Sequence, residues 1–244
     1  MRYNNATEAI ETAGELLKSF GKVCRPKKWQ AIDVNIGMWE IFNLNMSIPI
    51  PTEKWSWAED VKPSLPWADD HFIERVSGKP LNPPPSYKDW PHYRNDEDWR
   101  RVDGKFSHSY PERMWAPQDI MGIRYRYGNL RDLIDLMRDD PHTRQAFLPI
   151  WFPEDTGAHH GERVPCTIGY WFIHRGDKLD MYYPIRSCDY RRHFRNDIYM
   201  AGRLVQWMLY QLQMEDKYWD KVLPGDLNMQ VWNLHVFEGE QNFI

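Results

Sequence analysis

The sequence predicts an α+β fold. Long amphipathic helix patterns lie far apart in the chain, a β-hairpin pattern sits between two of them, and helices and strands do not alternate as a doubly wound parallel sheet requires. NNATEAIETAGELLKSFG predicts the first helix. Asn5 can cap it and Glu8 can complete a capping box. Ala9, Ile10, Ala13, Leu17 and Phe20 recur at helical spacing, and Gly21 suits the stop. WQAIDVNI (29–36) reads as a strand. Nine of the 18 prolines fall between 48 and 91, which predicts an irregular segment with Trp anchors, in which WADDHFIERV can make a short helix. YGNLRDLIDLMRDDP predicts a helix capped by Asn129, with Leu130, Leu133, Ile134 and Met137 as its apolar stripe and Pro141 beyond its end. AFLPIWF reads as a buried strand. CTIGYWFIHR and KLDMYYPIRS read as a hairpin turning at Gly176-Asp177. IYMAGRLVQWMLYQLQM predicts a second long helix, apolar at Ala201, Leu204, Val205, Met208, Leu209 and Leu212. There is no repeat and no Gly/Ser linker. The reading is one domain over 1–244 with a Pro-rich insertion at about 48–104.

Composition narrows the functional classes. The 244 residues suffice for a sizeable core. Aromatics at 15%, with 13 Trp, exclude a disordered chain. A net charge of −4 and a pI near 6.1 argue against a dedicated duplex DNA binder, so any anion site must be local. No apolar run is long enough to span a membrane. The N-terminal stretch MRYNNATEAIETAGELL is polar and acidic, unlike a signal or transit peptide. Cys24, Cys166 and Cys188 form no C-x-x-C pair and cannot all be bridged, so a reducing cytoplasm is the expected setting.

The candidate chemistry centres on IRSCDYRRHFRND (185–197), which carries four arginines between a strand and an apolar helix pattern. Cys166, in VPCTIGY, reads on its own as a small buried hydrophobe. A thiolate, however, is stabilised by nearby Arg or His⁺, and a hairpin brings Arg186 back beside Cys166. Arg186-Ser187 offers a donor fork and a hydroxyl suited to a phosphate monoester, and Arg144, in DPHTRQAF, offers another guanidinium. A zinc deaminase is rejected, because it needs H-x-E with P-C-x-x-C and no second cysteine follows Cys166 at that spacing. His159 and His160 are adjacent, point in different directions and read as loop residues.

VPC, then RSCD twenty residues on, then Asp197 eight residues later, resembles the thymidylate synthase family. DDPHTRQ is similar to that family's Asp-Pro-x-Ser-Arg-Arg turn, and NLHVF to its His-x-Tyr. FRND and LHV occur in the order found in the phage deoxycytidylate hydroxymethylase branch. The resemblance covers roughly 105–240. It implies a mixed or antiparallel sheet packed with helices and an obligate homodimer formed through the sheet face. It implies that Cys166 attacks C6 of a pyrimidine nucleotide, so that C5 takes a one-carbon unit from 5,10-methylenetetrahydrofolate, with no metal. Arg186 and Ser187 would hold the 5′-phosphate, with Arg144 reaching it from the partner subunit and Arg25 as a further phosphate arginine. Asp189 would line the folate and base region, His193 and Trp115 would face the folate, and His235 would meet the sugar hydroxyl. Glu74, with Asp70 behind it, is the choice for the family's general-base glutamate.

Asp197 stands where an amide reads uracil. A carboxylate accepts from cytosine N4 and, when protonated, donates to N3. Its alternative roles are pairing with Arg195 or capping a helix that begins at Ile198. Three positions depart from the family pattern: Gln145 replaces a second arginine, Phe237 a sugar-binding tyrosine and His193 a glycine. The expected activity is C5 hydroxymethylation of dCMP in the cytoplasm, which is that of the host if the chain is phage-encoded. C5 methylation of dCMP with release of dihydrofolate, and action on dUMP, remain alternatives. A different class also stays open, a non-catalytic nucleotide or single-strand binder, because IRYRYGNLRD and DYRRHFR interleave cations with aromatics.

Overall fold

The computed structural model describes residues 1–29, 32–33, 36–93, 103–116, 128–156 and 163–243. Helix α1 (Ala6–Phe20) begins at Asn5, whose side chain accepts from the Glu8 N–H. The expected capping box is shifted by one residue, because Glu8 reaches back to the Asn4 N–H rather than to Asn5. Strand β1 (Lys22–Cys24) follows, then the short pair β2 (Lys28–Trp29) and β3 (Ile32–Asp33), which replaces the single strand expected there. The long strand β4 (Met38–Pro49) was not expected from the sequence.

The Pro-rich segment is more ordered than its composition implies. It holds α2 (Lys54–Val61) and α3 (Trp67–Arg75), the latter matching the short helix read from WADDHFIERV. After α4 (Tyr110–Met114) comes α5 (Leu130–Asp139), closed by a capping box between Asn129 and Asp132. All four residues of the α5 apolar stripe are buried. The strand AFLPIWF shortens to β5 (Phe147–Pro149) at the sheet edge. The hairpin is β6 (Gly169–Arg175) and β7 (Lys178–Ile185), and Gly176 takes the positive φ of 63° that its turn needs. Then come β8 (Cys188–Asp189), one wider π-type turn (Tyr190–Phe194), α6 (Arg195–Glu215) and β9 (Leu223–Phe237). His159, His160 and all of IRYRY lie outside the described residues.

Among the described residues the main sheet has seven strands in the order β1-β4-β9-β7-β6-β5, with β8 also paired to β9. It is mixed: β7 and β8 run parallel to β9, and the other pairs are antiparallel. The chain is therefore α+β, with a mixed sheet packed by helices. Where β7 and β9 shift register, the Asp180 carboxylate accepts from the Asp226 N–H at 2.7 Å. Gly225 permits that approach, since a Cβ there would lie 1.9 Å from Asp180 Oδ1.

Helix α6 is the hub. It packs on α2, α3, α5, β7 and β9, and its six predicted apolar positions are all buried. Each large side chain among them contributes about 1.5–3 kcal/mol of burial energy before entropy is subtracted. Arg113 and Asp155 form a buried ion pair that ties α4 to the turn after β5, and Arg113 also donates to the Ile150 carbonyl at 2.8 Å. No helix among the described residues is long and apolar enough to cross a membrane.

Gly202 of α6 lies under the fully buried indole of Trp57, which donates to the Tyr199 carbonyl at 3.0 Å. A Cβ at 202 would meet Trp57 Nε1 at 2.4 Å. Gly→Ala in a free helix gains about 0.5–1 kcal/mol. Gly202→Ala is instead expected to lower stability by about 1–3 kcal/mol through overpacking, read as a reduced urea midpoint. An unchanged or raised midpoint would contradict this packing.

Candidate active site

The site is built on an interruption in the sheet. Ile185 pairs with Val231 and Cys188 with Leu234, in one continuous parallel register, but Arg186 and Ser187 leave the ladder between them. On its other edge the strand keeps the hairpin pairing through the Thr167–Ile185 bridge, in which the Arg186 N–H donates to the Cys166 carbonyl at 2.9 Å. Its guanidinium donates to the carbonyls of Pro165 at 2.9 Å and Val164 at 3.2 Å and lies over the Trp151 ring. The hairpin thus brings Arg186 beside Cys166, as the sequence predicts. Arg186 clamps the turn that presents the cysteine, and it is Ser187 that lines the adjoining cleft.

That cleft encloses about 1150 Å³, open solvent at its mouth included. Cys166, Ser187, Asp189, His193, Asp197 and His235 all line it. One wall is aromatic, with Trp67, Tyr87, Trp90, Tyr93 and Phe106, a composition suited to flat ring systems. The ring of His193 stacks on Trp90 at 4.9 Å. Cys188 does not compete with Cys166 as a nucleophile. It is buried, burial and then the Asp197 charge push its thiol well up, and its Sγ–H donates to Asp197 Oδ2 at 3.4 Å.

Asp197 takes neither of its alternative roles. Helix α6 starts at Arg195 rather than Ile198, so Asp197 lies inside its first turn, and Arg195 donates instead to the Val61 carbonyl. The carboxyl keeps an opening onto the cleft. Burial raises its pKa to about 6, opposed in part by Arg75 and by the Cys188 thiol. Asp189 caps the turn that follows it, accepting from the N–H groups of Arg191 and Arg192 at 3.0 Å each. Burial raises its carboxyl as well, against those hydrogen bonds and the Arg192 charge. His235 is 4% exposed, and its Nδ1 faces Asn233 Oδ1 at 3.0 Å. Its Nε2 is buried and has no hydrogen-bond partner among the described residues. Phe237 packs beneath the Arg192 guanidinium.

Other expected residues stand elsewhere. Glu74 is not among the cleft-lining residues. Burial opposes its ionisation, but hydrogen bonds from His71 and Ser86 outweigh that and hold its carboxyl below the ordinary value. It accepts from the Ser86 N–H and hydroxyl at 2.6 Å each and meets His71 Nδ1 at 3.3 Å. The group this pair presents to the cleft is His71, stacked on Trp67 at 5.2 Å. Asp70 is exposed. Arg25 is exposed and forms a two-pronged pair with Glu238 at 2.8 and 2.7 Å. Arg144 and Gln145 are exposed in the turn before β5. Trp115 packs outside the cleft, donating to the Arg75 carbonyl at 2.8 Å and meeting Trp207 edge-on. Sequence reasoning missed His71, Arg75, His108 and Arg163, which all line the cleft. Only the spacing of Arg163, three residues before Cys166, could have signalled one of them.

No protein-family model matches the chain, and no curated protein matches it.

The cleft histidines are held neutral. Burial, then the Arg75 charge, lowers His71 to about 4; burial lowers His235 to about 4 and His193 to about 3. Below pH 6.5 the unfolded chain protonates these rings while the folded chain resists, so stability falls as pH drops from 6.5 towards 4. Asp197 acts in the opposite sense between 3.8 and about 6, and Asp189 with it, two carboxyls against four lowered cleft histidines once His108 is included. The melting temperature should therefore fall over that window. His193→Phe, which keeps the stack on Trp90, should flatten the slope. A variant slope equal to wild type would show that His193 titrates normally in the fold.

Proposed function

We propose that this protein is a folate-dependent C5 hydroxymethylase of a pyrimidine nucleoside monophosphate, with dCMP as its preferred substrate. One observation supports the reading above the rest: the cysteine, serine, two aspartates and histidine that the family resemblance singles out converge on a single cleft, with Arg186 hydrogen-bonded to the cysteine's own carbonyl. A binder that tracks single strands has no need of a thiol aimed into an enclosed cleft. The aromatic wall and the His193–Trp90 stack fit a flat pterin as well as a base.

In this reading the Cys166 thiolate adds to C6 of the bound ring, and C5 becomes a carbon nucleophile. Methylenetetrahydrofolate supplies the one-carbon unit. Ser187 and the cations near Cys166 hold the phosphate, and His235 Nε2 meets a sugar hydroxyl. His71, oriented by Glu74 and Ser86, handles protons at the ring and at the water that completes the hydroxymethyl group. Glu74 then acts through His71, and the expected carboxylate base becomes a carboxylate–imidazole pair.

A second copy of the chain belongs to the proposal. The sheet face turned away from the helices carries Trp171, Tyr182 and Trp232, the last two 42% and 44% exposed. Pairing two such faces would cover them and leave Arg144 free to reach a neighbouring cleft.

Incubation with dCMP, CMP or dUMP plus methylenetetrahydrofolate, followed by mass spectrometry, should give hydroxymethyl-dCMP as the main product, with no growth of dihydrofolate absorbance. Cys166→Ser should lower turnover by about 10³-fold or more. A methylated product with dihydrofolate release would replace hydroxymethylation with methylation. No product from any nucleotide would remove the enzymatic reading.

A further inference from the structure

Arg75, the last residue of α3, is 5% exposed and lines the cleft. Its guanidinium lies over the Tyr110 ring, with Cζ 4.1 Å from the centroid. Among the described residues it forms no ion pair, and its Nε is buried with no hydrogen-bond partner. The Nε of the equally buried Arg113 also has no hydrogen bond among the described residues, but the terminal nitrogens of Arg113 pair with Asp155, and Arg75 has no such carboxylate there. A buried cation that has an aromatic face but no ion pair is costly to the fold, and its retention is explained when a ligand completes it.

Asp197 lines the same cleft. Among the described residues its one hydrogen bond is from the weak thiol donor of Cys188. Arg75 is the cation that acts on it most strongly, yet the two form no ion pair. A guanidinium with no ion pair and a carboxylate with one weak donor thus line the same cleft.

We infer that Arg75 and Asp197 together select cytosine, the carboxylate accepting from the exocyclic N4 amino group and the guanidinium donating to ring N3 and carbonyl O2. This inference rests on the function proposed above and names the feature that sets its substrate. The three contacts are those a guanine offers cytosine in a base pair: one acceptor, then two donors. Uracil reverses two of them, since its O4 would face the carboxylate and its N3–H the guanidinium. Asp197 needs no proton to read cytosine, because Arg75 supplies the donor to N3. An arginine's planar fork suits adjacent acceptors in a way that a lysine's point charge does not. Tyr110 accepts from the Thr167 hydroxyl at 3.1 Å, which holds its ring beneath the Arg75 guanidinium.

The test compares dCMP and dUMP on wild type, Arg75→Gln, Arg75→Lys and Asp197→Asn, reading kcat/KM and, separately, nucleotide binding by calorimetry. Wild type should favour dCMP by about 10²-fold or more. Arg75→Gln should lose most of that preference through a loss on dCMP far larger than on dUMP. Arg75→Lys, which keeps the charge, should restore only part of it, and Asp197→Asn should shift preference towards dUMP. Equal losses on both nucleotides in the Arg75 variants would make Arg75 a structural residue and overturn the inference. Wild type that favours dUMP would overturn it while leaving one-carbon transfer standing. Selective binding of dCMP without turnover would uphold it and remove the proposed reaction. Binding of neither nucleotide would overturn both.

Discussion

The site depends on two residues leaving a strand ladder without disturbing its register. Arg186 and Ser187 break away from β9, and pairing resumes at Cys188 as though nothing had intervened. The Arg186 N–H stays on the hairpin side, where it donates to the Cys166 carbonyl across the Thr167–Ile185 bridge, and its side chain grips the two residues before Cys166. A buried backbone donor must find an acceptor, and this last bridge of the hairpin holds Cys166 beside the two residues that leave β9. The sheet supplies the rigidity; the gap in it supplies the chemistry.

Helix α6 carries the constraint to the other side of the cleft. Its burial against α2, α3, α5 and the sheet fixes the depth of its first turn, and Asp197 stands there. The π-type turn before it, capped by Asp189, sets the angle at which the helix leaves β8. Two cysteines with the same chemistry are thereby separated in role. Cys166 opens on the cleft, and Cys188 is sealed behind Asp197, with a thiol too far raised to ionise.

Much of this was legible in the sequence where one local signal sufficed. The Gly176 turn, the Asn129 cap and the α6 stripe are each written within a few residues, and each is found as read. The strands β4 and β9 carry the same kind of signal, with Leu44, Met46 and Ile48, and Leu227, Met229 and Val231, alternating inward. The prolines near β4, and Pro224 and Gly225 at the start of β9, obscured a period of two that was present. The site was legible along the stretch 164–197, where spacing alone fixes which residues can meet. It was not legible for Arg75 and His71, because nothing in WADDHFIERV says which face of a short helix meets a cleft formed by a hairpin ninety residues on. Glu74 was the natural choice of base by residue type, and the fold turns it behind His71.

The central claim is that Cys166 bonds covalently to C6 of a cytosine ring. The most direct measurement is peptide mapping by mass spectrometry after incubation with 5-fluoro-dCMP and methylenetetrahydrofolate, where fluorine at C5 cannot leave and the adduct persists. The account predicts one modified peptide, containing Cys166, and none in Cys166→Ser. An adduct on Cys24 or Cys188, or no adduct while the nucleotide is bound, would contradict it.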